Sequence, residues 1–180
     1  MDTTTAILLR KTKLSDTSLI ITWFTEAHGK LKTVAKGARR PRSPFAGKLD
    51  LFFEAEISFA RSKRSELHTL REVALRNPRK GLRKEYPRVQ LASYFVELLE
   101  LVTESDHDSP ELYDLLKRGL DYLDSHSANK RAMLHFEAEL SRLLGIHDTQ
   151  EKNPAHAIGR VHGRLPAGRQ ELFKNLGSMK

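Results

Sequence analysis

Residues 18–42 read SLIITWFTEAHGKLKTVAKGARRPR. Ser18 to Phe24 is rich in β-branched and aromatic side chains, the composition of a strand. Glu26-Ala27-His28-Gly29 is a turn, with Gly29 free to take positive φ. From Lys30 the chain alternates, so that Leu31, Thr33 and Ala35 face opposite to Lys30, Lys32 and Lys36. Gly37-Ala38-Arg39-Arg40-Pro41 then ends the strand, because proline cannot extend a ladder. Two strands joined by a tight turn, the second emptying into a loop, are the nucleus of a small β domain.

Working outward, Thr5 to Leu9 is a preceding strand, set off by a break at Ser15-Asp16. Leu51 to Phe59 follows the loop and alternates apolar with polar from Phe53 onward. Ser62-Lys63-Arg64-Ser65 turns it into Leu67 to Val73. Five short strands with one long loop indicate a closed sheet of the oligonucleotide-binding (OB) barrel type, assigned to residues 1–77.

The hydrophobic period then changes from two to between three and four. Val89, Ala92, Tyr94, Phe95, Leu98, Leu99 and Val102 predict an amphipathic helix from Tyr86 to Thr103. Ser109 is an N-cap with Pro110 at the first helical position, opening a second helix that carries Leu112, Leu115, Leu116, Leu120 and Leu123 on one face. Asn129 to Leu144 is a third, ended by Gly145. From Ile146 the pattern fades into a loop-rich tail with one short helix near Gln170 to Leu176. The expected fold is α+β: an OB-type five-stranded barrel followed by a small helical bundle over residues 78–180.

The 180 residues include no cysteine, which excludes disulfides, a thiolate nucleophile and Cys-ligated zinc or iron–sulfur sites. No apolar run reaches the length of a membrane span, and the N-terminus lacks the features of a signal peptide, so a soluble cytoplasmic protein without membrane contact is expected. Walker, Rossmann and nucleophile-elbow patterns are missing. Asp106 and Asp108 fit capping and solvation in a linker, and Glu54 and Glu56 fit ion pairing with the cations around them. Gly159, Gly163 and Gly168 read as turns. His147, His156 and His162 have no acidic or Cys partner at ligand spacing, so no metal, no cofactor and no catalysis of covalent chemistry are expected.

Charge carries the functional signal. The net charge is +8, with ten basic against four acidic residues in positions 1–50 and five against ten in positions 101–150. Lys30, Lys32, Lys36, Arg39, Arg40 and Arg42 lie in one stretch without a carboxylate. A cationic strand leading into a cationic loop suits phosphates, whose released counterions drive association. A lysine-protected edge strand has the same composition. Arg10 and Lys11 on the first strand join the phosphate-binding set, as do Arg79 and Lys80. The latter two belong to a second cluster with Arg76, Arg83, Lys84 and Arg88 that also reads as a solvated junction. The aromatics Trp23, Phe24, Phe52, Phe53 and Phe59 fall on the core side. Phe45, in the basic loop, is the foremost candidate to stack on an unpaired base.

Several blocks resemble one family. Thr5-Ala6-Ile7-Leu8-Leu9-Arg10, the run Ser15 to Thr25, Glu26-Ala27-His28-Gly29-Lys30-Leu31 and Val34 to Ser43 are similar to the bacterial recombination mediator RecO, as is Leu91 to Leu99 in the first helix. The resemblance runs from about Thr4 to Gly145. It implies an OB domain, a helical domain, binding of single- and double-stranded DNA, annealing of complementary strands, and work with RecR. It also implies engagement of the acidic-apolar C-terminal tail of single-strand-binding protein to help load RecA. Many members carry a four-cysteine zinc motif after the third helix and continue with further helices. The expectation here is a lost zinc module and a reduced helical domain.

The expected mechanism is electrostatic and nearly sequence-independent, with phosphates neutralised and strands held close enough to pair. A protein–protein adaptor and an RNA-binding OB protein are the rivals, since the 2′-OH contacts that separate RNA from DNA are not legible. For the acidic tail the candidate clamp is Lys117, Arg118, Lys130 and Arg131, four cations beside apolar helix faces.

Overall fold

The structure, a computed structural model, describes residues 1–105, 107–147 and 153–178. The chain divides into two compact units, Met1–Arg79 with Thr103–Tyr113, and Lys80–Val102 with Asp114–Lys180.

The first unit is built on β1 (Asp2–Lys13), β2 (Leu19–Thr25), β3 (Gly29–Ala35), β4 (Glu54–Ala60) and β5 (Leu67–Asn77). They close into a barrel in the order β1-β2-β3-β5-β4, with β3 and β5 parallel and the other pairs antiparallel. Closure removes free edges, which answers the reading of β3 as a protected edge strand: it is paired on both sides. The interior holds Ala6, Leu8, Ile21, Trp23, Leu31, Ala35, Ile57 and Phe59 among others. Trp23 is fully buried and donates its indole N–H to Thr33 Oγ1 at 2.9 Å, so the largest core side chain leaves no polar atom unmet.

The fourth strand starts three residues later than the expected Leu51, at Glu54. Phe52 takes φ 67°, which no strand accommodates, and the backbone there bonds Leu8 in both directions (2.8 and 2.9 Å). Glu54 breaks the alternation by being buried, against Arg79, and Glu56 pairs outside with Arg76 at 2.8 Å. Both carboxylates are therefore ion-pair partners, as their cationic surroundings suggest.

Thr103–Tyr113, assigned from sequence to the helical domain, packs with the barrel unit. Ser105 bridges Lys30, Tyr113 stacks on Phe24 (6.4 Å), and a Cβ on Gly29 would overlap the His107 carbonyl oxygen. Gly29, at φ 60°, is required twice over, for its turn and for this close approach. Asp106, weighed above with Asp108, lies outside the described residues.

The second unit holds a 3₁₀ turn (Lys80–Lys84), α1 (Tyr86–Val102), most of α2 (Pro110–Ser125), α3 (Lys130–Leu143), α4 (Pro154–His162) and α5 (Arg169–Ser178). Leu91, Ala92, Tyr94, Phe95, Val96, Leu98 and Leu99 are all buried, so α1 is embedded over more than half its circumference, beyond the amphipathic stripe expected. Phe95 and Phe136 stack at 3.9 Å. Asn129 caps α3 by accepting from Ala132 N–H at 2.9 Å.

Helix α4 lies where a loop was expected. Asn153 caps it, Pro154 opens it, Gly163 at φ 73° ends it, and Ala155, Ala157 and Ile158 are its buried face. Small residues make that face faint in a hydrophobicity profile, and Gly159, read as a turn, lies inside the helix against Leu165. Glu137, fully buried, accepts from Tyr94 Oη (2.5 Å) and from Arg169 Nε (2.7 Å), tying α1, α3 and α5 together. Burial and the Glu137 charge push the Tyr94 hydroxyl well above the usual phenol range, so it stays a neutral donor. No described helix is long and apolar enough to cross a membrane.

Candidate nucleic-acid interface

Barrel geometry decides where each cation stands. Along β3 burial alternates strictly, with Gly29, Leu31, Thr33 and Ala35 inward and Lys30, Lys32 and Val34 outward. Thr22 pairs with Lys32 on one side and with Arg10 on the other. Arg10, Thr22 and Lys32 thus form one row across the outer face of β1, β2 and β3. At about 4.8 Å per strand, the two cations start roughly 10 Å apart over a buried threonine. Both are exposed.

Residues 36–53, beyond β3, are a run of tight turns (Arg40 N–H to Gly37 O, Ser43 N–H to Arg40 O, Ala46 N–H to Ser43 O). Arg39 N–H donates to Thr17 O at 3.0 Å and Gly37 N–H to Ser18 Oγ, which fastens this loop to the β1–β2 loop. Phe45, 6 % exposed, plugs the barrel from within the basic loop. It is a core residue, which corrects its reading as a base-stacking candidate. The plug leaves Lys36, Arg39, Arg40 and Arg42 exposed on an ordered loop.

Other members of the expected set are spent on structure. Lys30 is half-buried and donates to Thr103 O at 2.8 Å. Lys11 bonds Asp50 Oδ1 (2.8 Å) and Leu49 O (3.2 Å), closing the end of the loop. Arg79 is fully buried, donating to Glu54 Oε2 and to Phe52 O at 2.7 Å each. It reaches no solvent, and it leaves the phosphate-binding set. Lys80, its neighbour, is exposed but belongs to the other unit. Of the second cluster, Arg76 is ion-paired and Arg88 is buried against Leu123 O and Asp124 O.

Sequence reasoning passed over the β4–β5 loop, taking Lys63 and Arg64 as turn residues. Both are exposed, and Leu67, just past the loop, pairs with Lys32. That places the loop at the Arg10–Lys32 row, where five-stranded barrels of this type take their ligands. Arg61 bonds Asp2 and lies 5.8 Å from the Phe59 ring, and its hydrogen bond holds the Asp2 carboxyl below the usual carboxylate range. The missed signal was the charge of Arg61-Ser62-Lys63-Arg64, legible once the loop is known to adjoin β3.

Within the helical unit, Phe95, Leu115, Tyr122 and Phe136 line a groove of about 480 Å³ together with Arg118 and Arg131. Two of the four expected clamp residues therefore converge, and both are exposed. Lys130 instead lies over the Phe173 ring at 4.4 Å, and Lys117, half-buried, does not line the groove. Gly119 forms part of the floor, and a Cβ there would meet Phe95 Cδ2 at 3.1 Å and Phe136 Cδ2 at 3.2 Å. Among the described residues no three His, Asp or Glu side chains gather as a metal site.

Known proteins agree with this architecture. The family model described as Recombination protein O N terminal matches residues 1–79, and that described as Recombination protein O C terminal matches residues 83–147. The chain belongs to the RecO family. A protein of Rhodopirellula baltica named DNA repair protein RecO is 34% identical over 140 residues, 78% of this chain and 52% of the relative. Proteins of the same name from Syntrophus aciditrophicus (30% over 142 residues, 79% and 55%) and Salinibacter ruber (29% over 163 residues, 90% and 63%) are similar. The chain spans between half and two thirds of the length of these RecO proteins. The barrel carries the N-terminal match and the helices α1 to α3 the C-terminal one.

Proposed function

We propose that this RecO chain is a cytoplasmic, nucleoid-associated, non-catalytic DNA-binding protein of recombinational repair. It binds single- and double-stranded DNA, anneals complementary strands and helps load recombinase, working with RecR. The observation that carries the reading is the exposed array Arg10, Lys32, Lys36, Arg39, Arg40 and Arg42 on one face and loop of a closed barrel. The barrel's Trp23, Phe24, Phe45, Phe52 and Phe59 are buried and Phe53 is half-buried, so that face contacts phosphates more than bases. Binding that ignores base identity suits annealing, in which any complementary pair must be accepted.

The test is a salt titration. With four to six phosphate contacts, log K falls against log[salt] with a slope of roughly −3 to −5. Arg39→Ala with Arg40→Ala flattens that slope by about one to two units and weakens all sequences alike. An unchanged slope removes the loop from the mechanism, and tighter binding to RNA than to DNA of the same sequence favours the RNA-binding rival.

The groove on the helical unit supports a second contact, with the acidic-apolar tail of single-strand-binding protein. Its apolar lining takes the terminal side chains, and Arg118 and Arg131 take the carboxylates. This narrows the clamp to two of the four cations.

A further inference from the structure

The 3₁₀ turn Lys80–Lys84 is fixed with unusual thoroughness for a five-residue connection. Gly81 N–H donates to Asp124 Oδ1 at 2.6 Å, and a Cβ on Gly81 would overlap the Asp124 carbonyl oxygen. Leu82 is fully buried. Arg88 reaches from α1 to Leu123 O (3.3 Å) and Asp124 O (3.2 Å) with one nitrogen and to Glu85 Oε1 (2.6 Å) with the other. Glu85 is the one acidic residue between Arg76 and Arg88 in the sequence. Its carboxylate is occupied by Arg88 and by Ser127 Oγ, 3.2 Å away.

The exposed side chains of the turn and of the first residue of α1 are cationic and aromatic. Lys80, Arg83 and Lys84 are exposed, and Tyr86, at the start of α1, is 74 % exposed. Tyr122, also exposed, stacks on His126 at 4.4 Å and lines the groove with Arg118 and Arg131. In a 3₁₀ turn residues three apart share an edge, about 6 Å along the axis, so Lys80 and Arg83 follow one another along a strand-like track. A solvent-facing aromatic ring beside such a track is the combination that holds unpaired nucleotides, bases stacking while cations neutralise phosphates.

We propose that Tyr86, Lys80, Arg83 and Lys84 form a single-stranded DNA contact separate from the barrel, with one unpaired base stacked on the Tyr86 ring. The inference rests on the DNA-binding reading and adds base stacking, which the barrel's buried aromatics do not offer. Duplex DNA keeps its bases internal and gains nothing from the ring, so this contact favours single strands.

The test uses the full chain with a labelled oligothymidylate, an abasic strand of the same length and a duplex. Tyr86→Ala weakens oligothymidylate binding roughly fivefold or more while leaving the salt slope unchanged. Tyr86→Phe retains wild-type affinity, because stacking needs the ring and not the hydroxyl. Abasic-strand and duplex affinities are the same in wild type and Tyr86→Ala. Arg83→Ala with Lys84→Ala instead flattens the slope by about one to two units. Silence of Tyr86→Ala, or an equal loss on abasic and base-bearing strands, overturns the proposal. If wild type binds the strand, with Arg39 and Arg40 contributing, a silent Tyr86→Ala sinks this contact alone. If wild type binds no strand, the DNA-binding reading falls with it.

Discussion

Arg79 separates a structural from a DNA-binding role for the cations around residue 80. Its guanidinium is fully buried, and its charge-assisted bonds include two of 2.7 Å, to Glu54 Oε2 and to the Phe52 carbonyl. Hydrogen bonds to charged groups contribute about 1.5–3 kcal/mol each. Arg79→Ala removes both, leaves Glu54 buried at 5 % exposure without its arginine, and empties a side-chain volume. Removing one partner of a buried pair costs about 3–5 kcal/mol, in line with the sum of the two bonds. Against a typical stability of about 5–15 kcal/mol, a loss of that size moves the barrel far down its unfolding curve. Phe52 adds to it, since the Arg79 bond helps hold that residue at φ 67°. Urea denaturation followed by the emission of Trp23, the sole tryptophan and a barrel core residue, reports this unit directly. The expected result is a midpoint shift equivalent to about 3–5 kcal/mol for Arg79→Ala. Lys80→Ala, by contrast, leaves the midpoint unmoved. Replacing Arg79 and Glu54 together by apolar residues recovers part of the loss, because no lone charge remains. A loss under about 1 kcal/mol for Arg79→Ala, or a double variant worse than both singles, refutes this account.

Three further outcomes are expected. Gly29→Ala destabilises the barrel unit by more than about 1 kcal/mol in the same assay, since it meets a positive-φ requirement and the His107 carbonyl together; a neutral effect removes the close approach. Asp2, Glu85 and Glu139 have carboxyls held below their ordinary values by hydrogen bonds from Arg61, Arg88 and Arg142 respectively. Their contribution is fully present above the unfolded values of 3.8 and 4.5 and is lost as pH falls through the lower folded ones, so denaturation midpoints hold level down to about pH 5 and decline below it, modestly because these pairs are solvated. For the groove, Arg118→Ala and Arg131→Ala each weaken an acidic-apolar tail peptide about tenfold by calorimetry while Lys117→Ala and Lys130→Ala do not, and DNA affinity is retained; loss only in the Arg39/Arg40 variant moves the peptide to the barrel.

The barrel was legible because its signals are local and agree with one another. Alternation in β3, the Gly29 turn and the Pro41 stop each point to the same fold, and the pairings follow. Helix α4 was faint because two alanines and a single isoleucine form its buried face, so its existence depends on neighbours that sequence periodicity does not weigh. The placement of Thr103–Tyr113 with the barrel was illegible for a different reason. Its ties are a backbone bridge to Lys30, a ring contact and the bare Cα of Gly29, none of which leaves a pattern in its own residues.

The candidate site divides along the same line. Net positive charge said that cations dominate the N-terminal half, yet side chains of identical chemistry took opposite roles. Arg79 and Arg88 are buried anchors, while Arg39 and Lys80 are exposed. What separates them is the presence of buried acceptors: Glu54 and the Phe52 carbonyl for Arg79, the end of α2 and Glu85 for Arg88, whereas the Arg39 guanidinium meets the exposed Ser15 carbonyl at 3.3 Å. A buried guanidinium needs several acceptors at once, and apart from Glu85 those named here come from segments 25 or more residues away in the chain. Charge counting is blind to that requirement. It overcounts DNA contacts wherever an arginine closes a core, and it misses loops such as Lys63-Arg64, whose relevance comes from the strand they adjoin. The aromatics reverse in the same way. Phe45, conspicuous inside the basic loop, is the plug that orders it, while Tyr86, which periodicity alone marks only as the start of a helix, faces solvent beside cations.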